Sequence, residues 1–353
     1  KQKEFSKAKK YFETSINDSR SLTNLGTMYF SDSLGVAHDF EKAINFYKIA
    51  ADSGNSVAMY ALGMIYLNGY NVIEKNLTLA QKWFNSVIIK NDNNEAQLKI
   101  AELYRDGNSN GIQINYEKHA EIIKKLSQKN YPNAITKLGE IYRDGLSVKQ
   151  DYKKAVELFK KAISLGDAEA MSDLAGCYYF GNGIQKDISE CIKLNKMAIE
   201  KGDIWGKRNM LDLYTKGEGM DKDIGMAKKL LKELNFDAIN NNDNNLYTSL
   251  GYYYLMNNDY ESAIRMYENA INNFSISGSY NLGILYYYGY GVEQSYQNAY
   301  TLFQVAANLG DRKAMHWLAN CYKNWKNNYD SSKYWLNKAC VLMNEQSCKQ
   351  LKN

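Results

Sequence analysis

The stretch Leu138–Asp167, LGEIYRDGLSVKQDYKKAVELFKKAISLGD, decides the fold. Two helical patterns are joined by a glycine-bearing segment and closed by a further glycine. The same frame returns as LAGCYYFGNGIQKDISECIKLNKMAIEKGD from Leu174 and as LGILYYYGYGVEQSYQNAYTLFQVAANLGD from Leu282. Looser copies are anchored on Leu25, Leu62, Ile100, Met210, Leu250 and Leu318, so that successive anchors lie 32 to 40 residues apart. A period of this length with two helices per unit specifies an all-α helical solenoid of about nine helix pairs. Each unit is then expected to bury its apolar face only against its neighbours. Residues 1–353 read as a single array, with a capping helix over 341–353.

Within the unit, a small residue four before the anchor, the anchor itself, a small residue after it and a tyrosine four after it recur at helical spacing. The tyrosines are Tyr29, Tyr66, Tyr104, Tyr142, Tyr178, Tyr214, Tyr254, Tyr286 and Tyr322. The small residue is expected to admit the second helix, with the tyrosine ring capping that contact. Gly145, Gly181, Gly217 and Gly289 stand where the first helix must end. Asp151, Asp187 and Asp223 stand where the second helix needs an N-cap. Glu4–Ile16 aligns with a second helix whose first helix is missing, which implies residues upstream of Lys1. The third unit carries three extra loop residues around 108–113, and the unit at Leu250 lacks the double-glycine loop.

Charged residues are 24% of the chain, the net charge is +5, and one proline occurs in 353 residues. No apolar run approaches the ~20 residues of a transmembrane helix. Lysine and arginine are spread along the helices, and no basic stripe with interleaved aromatics points to nucleic acid.

These positions resemble the Sel-one-like repeat (SLR), a glycine-looped relative of the tetratricopeptide repeat, over nearly the whole chain. The resemblance implies an all-α, right-handed superhelical α/α solenoid, a non-catalytic scaffold or adaptor that binds a protein or peptide. Two settings are implied: bacterial exported proteins acting in host interaction or surface assembly, and eukaryotic adaptors in ER quality control or cell-wall synthesis. Low proline, abundant asparagine and one cysteine pair favour the first. Cys340 and Cys348, eight apart, resemble the pair that forms a disulfide in the bacterial cysteine-rich SLR branch. Their equivalents in an ordinary unit are Ala51 and Met59, so two plain hydrophobes are the other reading.

Little else suggests chemistry. His38, His119 and His316 form no metal-binding pattern and read as surface or interfacial residues. Cys177, Cys191 and Cys321 take positions held elsewhere by core hydrophobes or alanine. No cofactor or metal is called for. Glu102 and Glu140, one repeat apart, are the carboxylates a glycan-acting enzyme would need. Arg105 and Arg143 beside them suit ion pairing better.

In tetratricopeptide-like superhelices the first helices line the concave face, which puts positions −5, −2, +2, +5 and +6 from each anchor inside. The middle units place a charged band there, Glu102, Arg105, Asp106, Glu140, Arg143 and Asp144. The seventh and eighth place Tyr252, Leu255, Met256, Tyr280, Ile284, Tyr287 and Tyr288 there, the expected partner site. A weaker apolar patch comprises Phe30, Tyr60, Met64 and Leu67.

Overall fold

The computed structural model describes residues 10, 12, 14, 15, 18–31, 39–70, 73–108, 110–342 and 345–352. Most of Glu4–Ile16 and all of His38 lie outside them. The chain divides into two compact units, residues 1–101 and 102–353. The first holds α1 (Ser19–Phe30), α2 (Phe40–Asp52), α3 (Ser56–Asn68) and α4 (Leu77–Lys90), and the division falls inside α5 (Asn94–Asp106). The second continues with α6 (Tyr116–Gln128), α7 (Pro132–Asp144), α8 (Tyr152–Ser164), α9 (Glu169–Phe180), α10 (Ile188–Glu200), α11 (Ile204–Lys216) and α12 (Ile224–Asn241). It ends with α13 (Asn244–Met256), α14 (Tyr260–Asn272), α15 (Ile276–Tyr288), α16 (Tyr296–Asn308), α17 (Arg312–Asn324), α18 (Tyr329–Val341) and α19 (Glu345–Lys352). Odd numbers up to α17 are the first helices of repeats, even numbers the second. Among the described residues no strand forms.

Every hairpin is closed in one way. The residue ahead of each second helix is Asp39, Asn76, Asn115, Asp151, Asp187, Asp223, Asp259, Ser295 or Asn328. Its side-chain oxygen accepts from an N–H of the first turn. The N–H of that same residue donates to the carbonyl of the tyrosine four after the anchor, at 2.7–3.1 Å in all nine hairpins. Gly145, Gly181, Gly217 and Gly289 end their helices at φ of 65–75°, where a side chain would be strained. In the hairpin after Leu250 that duty passes to Asn258, at φ 60°. The single proline, Pro132, opens α7, where its missing N–H is least missed.

The small residue after the anchor admits the second helix, but the ring that covers it belongs to that helix and not to the tyrosine four after the anchor. A Cβ on Gly139 would stand 2.5 Å from the Phe159 ring of α8, and Gly26, Gly63, Gly251 and Gly283 meet Tyr47, Phe84, Tyr267 and Phe303 in the same way. These five rings are buried, and sealing each from water is worth about 2–3 kcal/mol. The tyrosines four after the anchor are instead mostly half-buried at the hairpin ends. Lys42, Lys118 and Lys154 lie over the rings of Tyr29, Tyr104 and Tyr142 at 5.6, 5.0 and 4.3 Å.

In the second unit the apolar surface is buried not only against neighbouring repeats. The irregular loop of the third repeat docks on the eighth. The N–H of Ile114 donates to the Leu309 carbonyl at 2.7 Å, and Ile114 packs into the cluster of Ile276, Phe303 and Leu309. Arg312 lies over the Tyr116 ring at 5.9 Å. The extra residues around 108–113 thus join repeats far apart in sequence, bringing the ends of the second unit together around its inner wall.

Cys340 and Cys348 form a disulfide, with Cα atoms 4.8 Å apart, which ties α19 to α18. Cys177, Cys191 and Cys321 are buried thiols. Burial pushes the first two up to about 11 and the third to about 12, as suits packing residues. His119 is buried, not a surface residue: it falls in the α6 slot that Ala155 fills in α8. His316 is also buried, its Nδ1 3.0 Å from Ser347 Oγ.

Candidate functional site

The inner wall of the second unit is built from first helices. α5, α7, α9, α11, α13 and α15 send Glu102, Glu140, Asp173, Trp205, Tyr252 and Asn281 into one cavity of about 860 Å³. One end of it is the charged band. Arg105 grips Asp106 at 2.7 and 2.8 Å and reaches Glu140 at 3.5 Å. Lys137, only 7% exposed, bridges Glu140 at 2.8 Å and Glu169 at 2.7 Å. Arg143 binds Asp144 at 2.7 Å and Asp173 at 2.6 Å. Each cation thus links successive repeats or holds a neighbour that does, which suits a wall whose charges are kept from water.

Electrostatics separates the carboxylates. Burial raises Glu140, but Lys137 and Arg105 outweigh it and hold the carboxyl down to about 2. Burial, with Glu140 nearby, pushes Asp173 up to about 8 despite Arg143. The Asp173 Oδ2 is buried and accepts no hydrogen bond from the protein. Glu102 and Glu169 are also raised, chiefly by burial. Glu140 is ion-paired twice over, as a structural acid is, and the pair Glu102 and Glu140 gives no general acid opposite a free nucleophile. Among the described residues no group of three His, Cys, Asp or Glu side chains is placed to hold a metal ion.

A second cavity of about 700 Å³ lies between the loop after α7 and the start of α17, lined by Lys149, Tyr280, Arg312, Lys313 and Trp317. The aromatic residues expected to form one patch are therefore divided. Tyr252, half-exposed, belongs to the first cavity, and Tyr280 to the second. Tyr287 and Tyr288 meet Trp317 edge-on at 5.0 and 5.6 Å. Tyr280, Ile284 and Tyr287 pack on the Phe303 core, so that register does use these rings. Leu255 packs on the Tyr267 cluster, while Met256 is exposed. In the first unit Phe30 meets Phe40 and Tyr70 edge-on, Tyr60 packs beside Phe84 at 6.1 Å, and Met64 is half-buried. Leu67 is a core residue, 1% exposed, and offers no surface.

Lys137, Asp173 and Trp317 escape the inward set read from the sequence, whereas Trp205 stands at its position −5. The other three sit one before their anchors. Positions −5, −1, +2 and +6 follow each other at helical steps of four, three and four, and that stripe is the inner wall.

A model of the Sel1 repeat family matches residues 19–55, 56–86, 94–120, 132–167, 168–203, 212–233 and 276–311. The departing repeats at Leu250 and Leu318 fall outside these segments. The chain is similar to a solved Sel1 repeat protein from Oxalobacter formigenes, at 27% identity and a TM-score of 0.54, over 65% of this chain and 94% of that one. It shares the fold of a protective antigen of uropathogenic Escherichia coli, at 20% identity and a TM-score of 0.50, over 99% of this chain and 74% of that one. Over 114 residues it is 30% identical to chitin synthase regulatory factor 3 of Schizosaccharomyces pombe. That match covers 32% of this chain and only 12% of the relative. With seven matched segments covering more than half of its length, the chain belongs to the Sel1 repeat family.

Proposed function

We propose that the chain is a non-catalytic interaction scaffold that holds a polypeptide segment of a partner protein in the cavity of its second unit. The observation that carries this reading is that six successive first helices each contribute a side chain to one cavity, where Lys137 ties up Glu140 and Glu169. Trp205 and Tyr252 are the anchors such a segment would bury, each good aromatic anchor being worth ~2 kcal/mol or more. An inner wall richer in carboxylates than in cations disfavours nucleic acid. Among the described residues no helix is long and apolar enough to cross a membrane.

The Cys340–Cys348 disulfide supports an exported bacterial setting, because such bonds persist in oxidising compartments. The similarity to the fission-yeast chitin synthase regulatory factor supports the second reading, a eukaryotic adaptor in cell-wall synthesis. Affinity capture with the wild-type chain and with the double variant Trp205→Ala, Tyr252→Ala tests the cavity. The expected result is an unchanged melting temperature with at least tenfold weaker capture of the partner. Equal capture by both proteins rejects this cavity as the binding site.

A further inference from the structure

The second cavity differs from the first in sign. Lys149 comes from the loop after α7, Arg312 and Lys313 from the first turn of α17, and all three line it. Neither Lys149 nor Lys313 is in an ion pair among the described residues, whereas lysines and arginines of the first cavity are bridged to carboxylates. The carboxylate in the lining, Asp144, is already gripped by Arg143 at 2.7 and 3.0 Å. The nearby Asp311 carboxylate is turned into the start of α17, where it accepts from the Ala314 N–H at 2.7 Å. Burial holds it above its ordinary value, and it does not line the cleft. His316, also in the lining, is pushed down by burial and adds no charge at neutral pH. The cleft therefore carries unspent positive charge.

Its remaining wall is aromatic. Tyr280 and Trp317 both line the cleft and both rest against Phe303, at 6.2 and 6.1 Å between ring centroids. Tyr288, 47% exposed, continues the aromatic surface outward beside Trp317. An aromatic wall facing exposed lysines fits a ligand with apolar and anionic groups in alternation, and a cleft of about 700 Å³ holds a few residues of one. A small inorganic anion would leave the rings unused.

We propose that this cleft docks an acidic segment of a partner protein, its carboxylates between Lys149 and Lys313 and an apolar side chain against Tyr280 and Trp317. Charge complementarity selects the occupant and makes its docking dependent on salt. The site adjoins the first cavity at Asp144, which lines both, but it uses neither Trp205 nor Tyr252 and holds whether or not that cavity binds a peptide.

The test uses the full chain and a fluorescein-labelled peptide, Glu-Glu-Leu-Phe-Glu-Glu, followed by fluorescence anisotropy at 50 and 300 mM NaCl. Binding is expected at low salt, weakened at least fivefold at high salt and at least tenfold by Lys149→Glu with Lys313→Glu. Both lysines are exposed, so circular dichroism and melting temperature should not change. The Trp205→Ala, Tyr252→Ala variant should bind the peptide as the wild type does, which separates this site from the first cavity. The proposal is overturned if the peptide does not bind, if the charge reversals leave binding unchanged, or if the glutamine version binds equally well. Displacement by inorganic phosphate at concentrations comparable to the peptide would make it a simple anion site and also overturn the proposal.

Discussion

Asp173 shows how one residue of the inner wall shapes the behaviour of the whole chain. Its carboxyl holds its proton up to about 8 in the folded chain, against an ordinary 3.8. Between those values the folded state binds more protons than the unfolded state, so stability falls as pH rises from about 4 to 8 and is level above that. Glu140 acts in the other direction and elsewhere: its contribution is lost only as pH falls from 4.5 towards about 2. Asp173→Asn keeps the shape and an oxygen for Arg143 but removes the titration. Urea unfolding should show the wild type losing on the order of 2 kcal/mol between pH 6 and 8, two pH units at ~1.4 kcal/mol each less the flattening near the midpoint. The variant should show a nearly flat profile over that range. The same slope in both proteins would place the titration at another group. Legibility varies residue by residue. Gly139 was readable as a close-approach site because it recurs in frame, whereas its partner Phe159 lies 20 positions on and is identified only once the helices are packed.

At the scale of the element, the hairpins are overdetermined and the C-terminal cap is not. Each second helix has an N-cap side chain and a backbone bond to the preceding tyrosine, and both follow from local sequence. The last helix, α19, spans eight residues, too short to persist alone. Its disulfide to α18 and the contact of His316 with Ser347 hold it in place. Closing so short a loop stabilises by roughly 2 to 3 kcal/mol. Cys340→Ala with Cys348→Ala, or reduction with dithiothreitol, should lower the unfolding free energy by about that amount and speed amide exchange in α19 while leaving α7–α10 protected. Alkylation and mass spectrometry of protein from its native compartment should find both cysteines unavailable; free thiols at both would remove the cap from the functional state.

At the scale of the molecule, the third-repeat loop sets how the second unit behaves. A solenoid held only by nearest neighbours unfolds piecemeal, but the bond from Ile114 to Leu309 couples repeats nearly 200 positions apart. Ile114→Ser should cost about 1–3 kcal/mol and raise hydrogen exchange at residues 107–116 and 309–312 together; change confined to the loop would show that the joint is not energetically coupled. By itself the sequence determined the period, the helices, their caps and turns, and the small-residue stripe, because each depends on residues within about one turn or one hairpin of each other. It also exposed the loop at 108–113 as irregular, without showing why. Only the tertiary structure decided that this loop meets the eighth repeat and that Tyr252 and Tyr280 face different cavities. It also put Leu67 in the core and left Lys149 facing Lys313. Those outcomes depend on the small rotation between successive repeats summed over many units, and no local pattern records that sum.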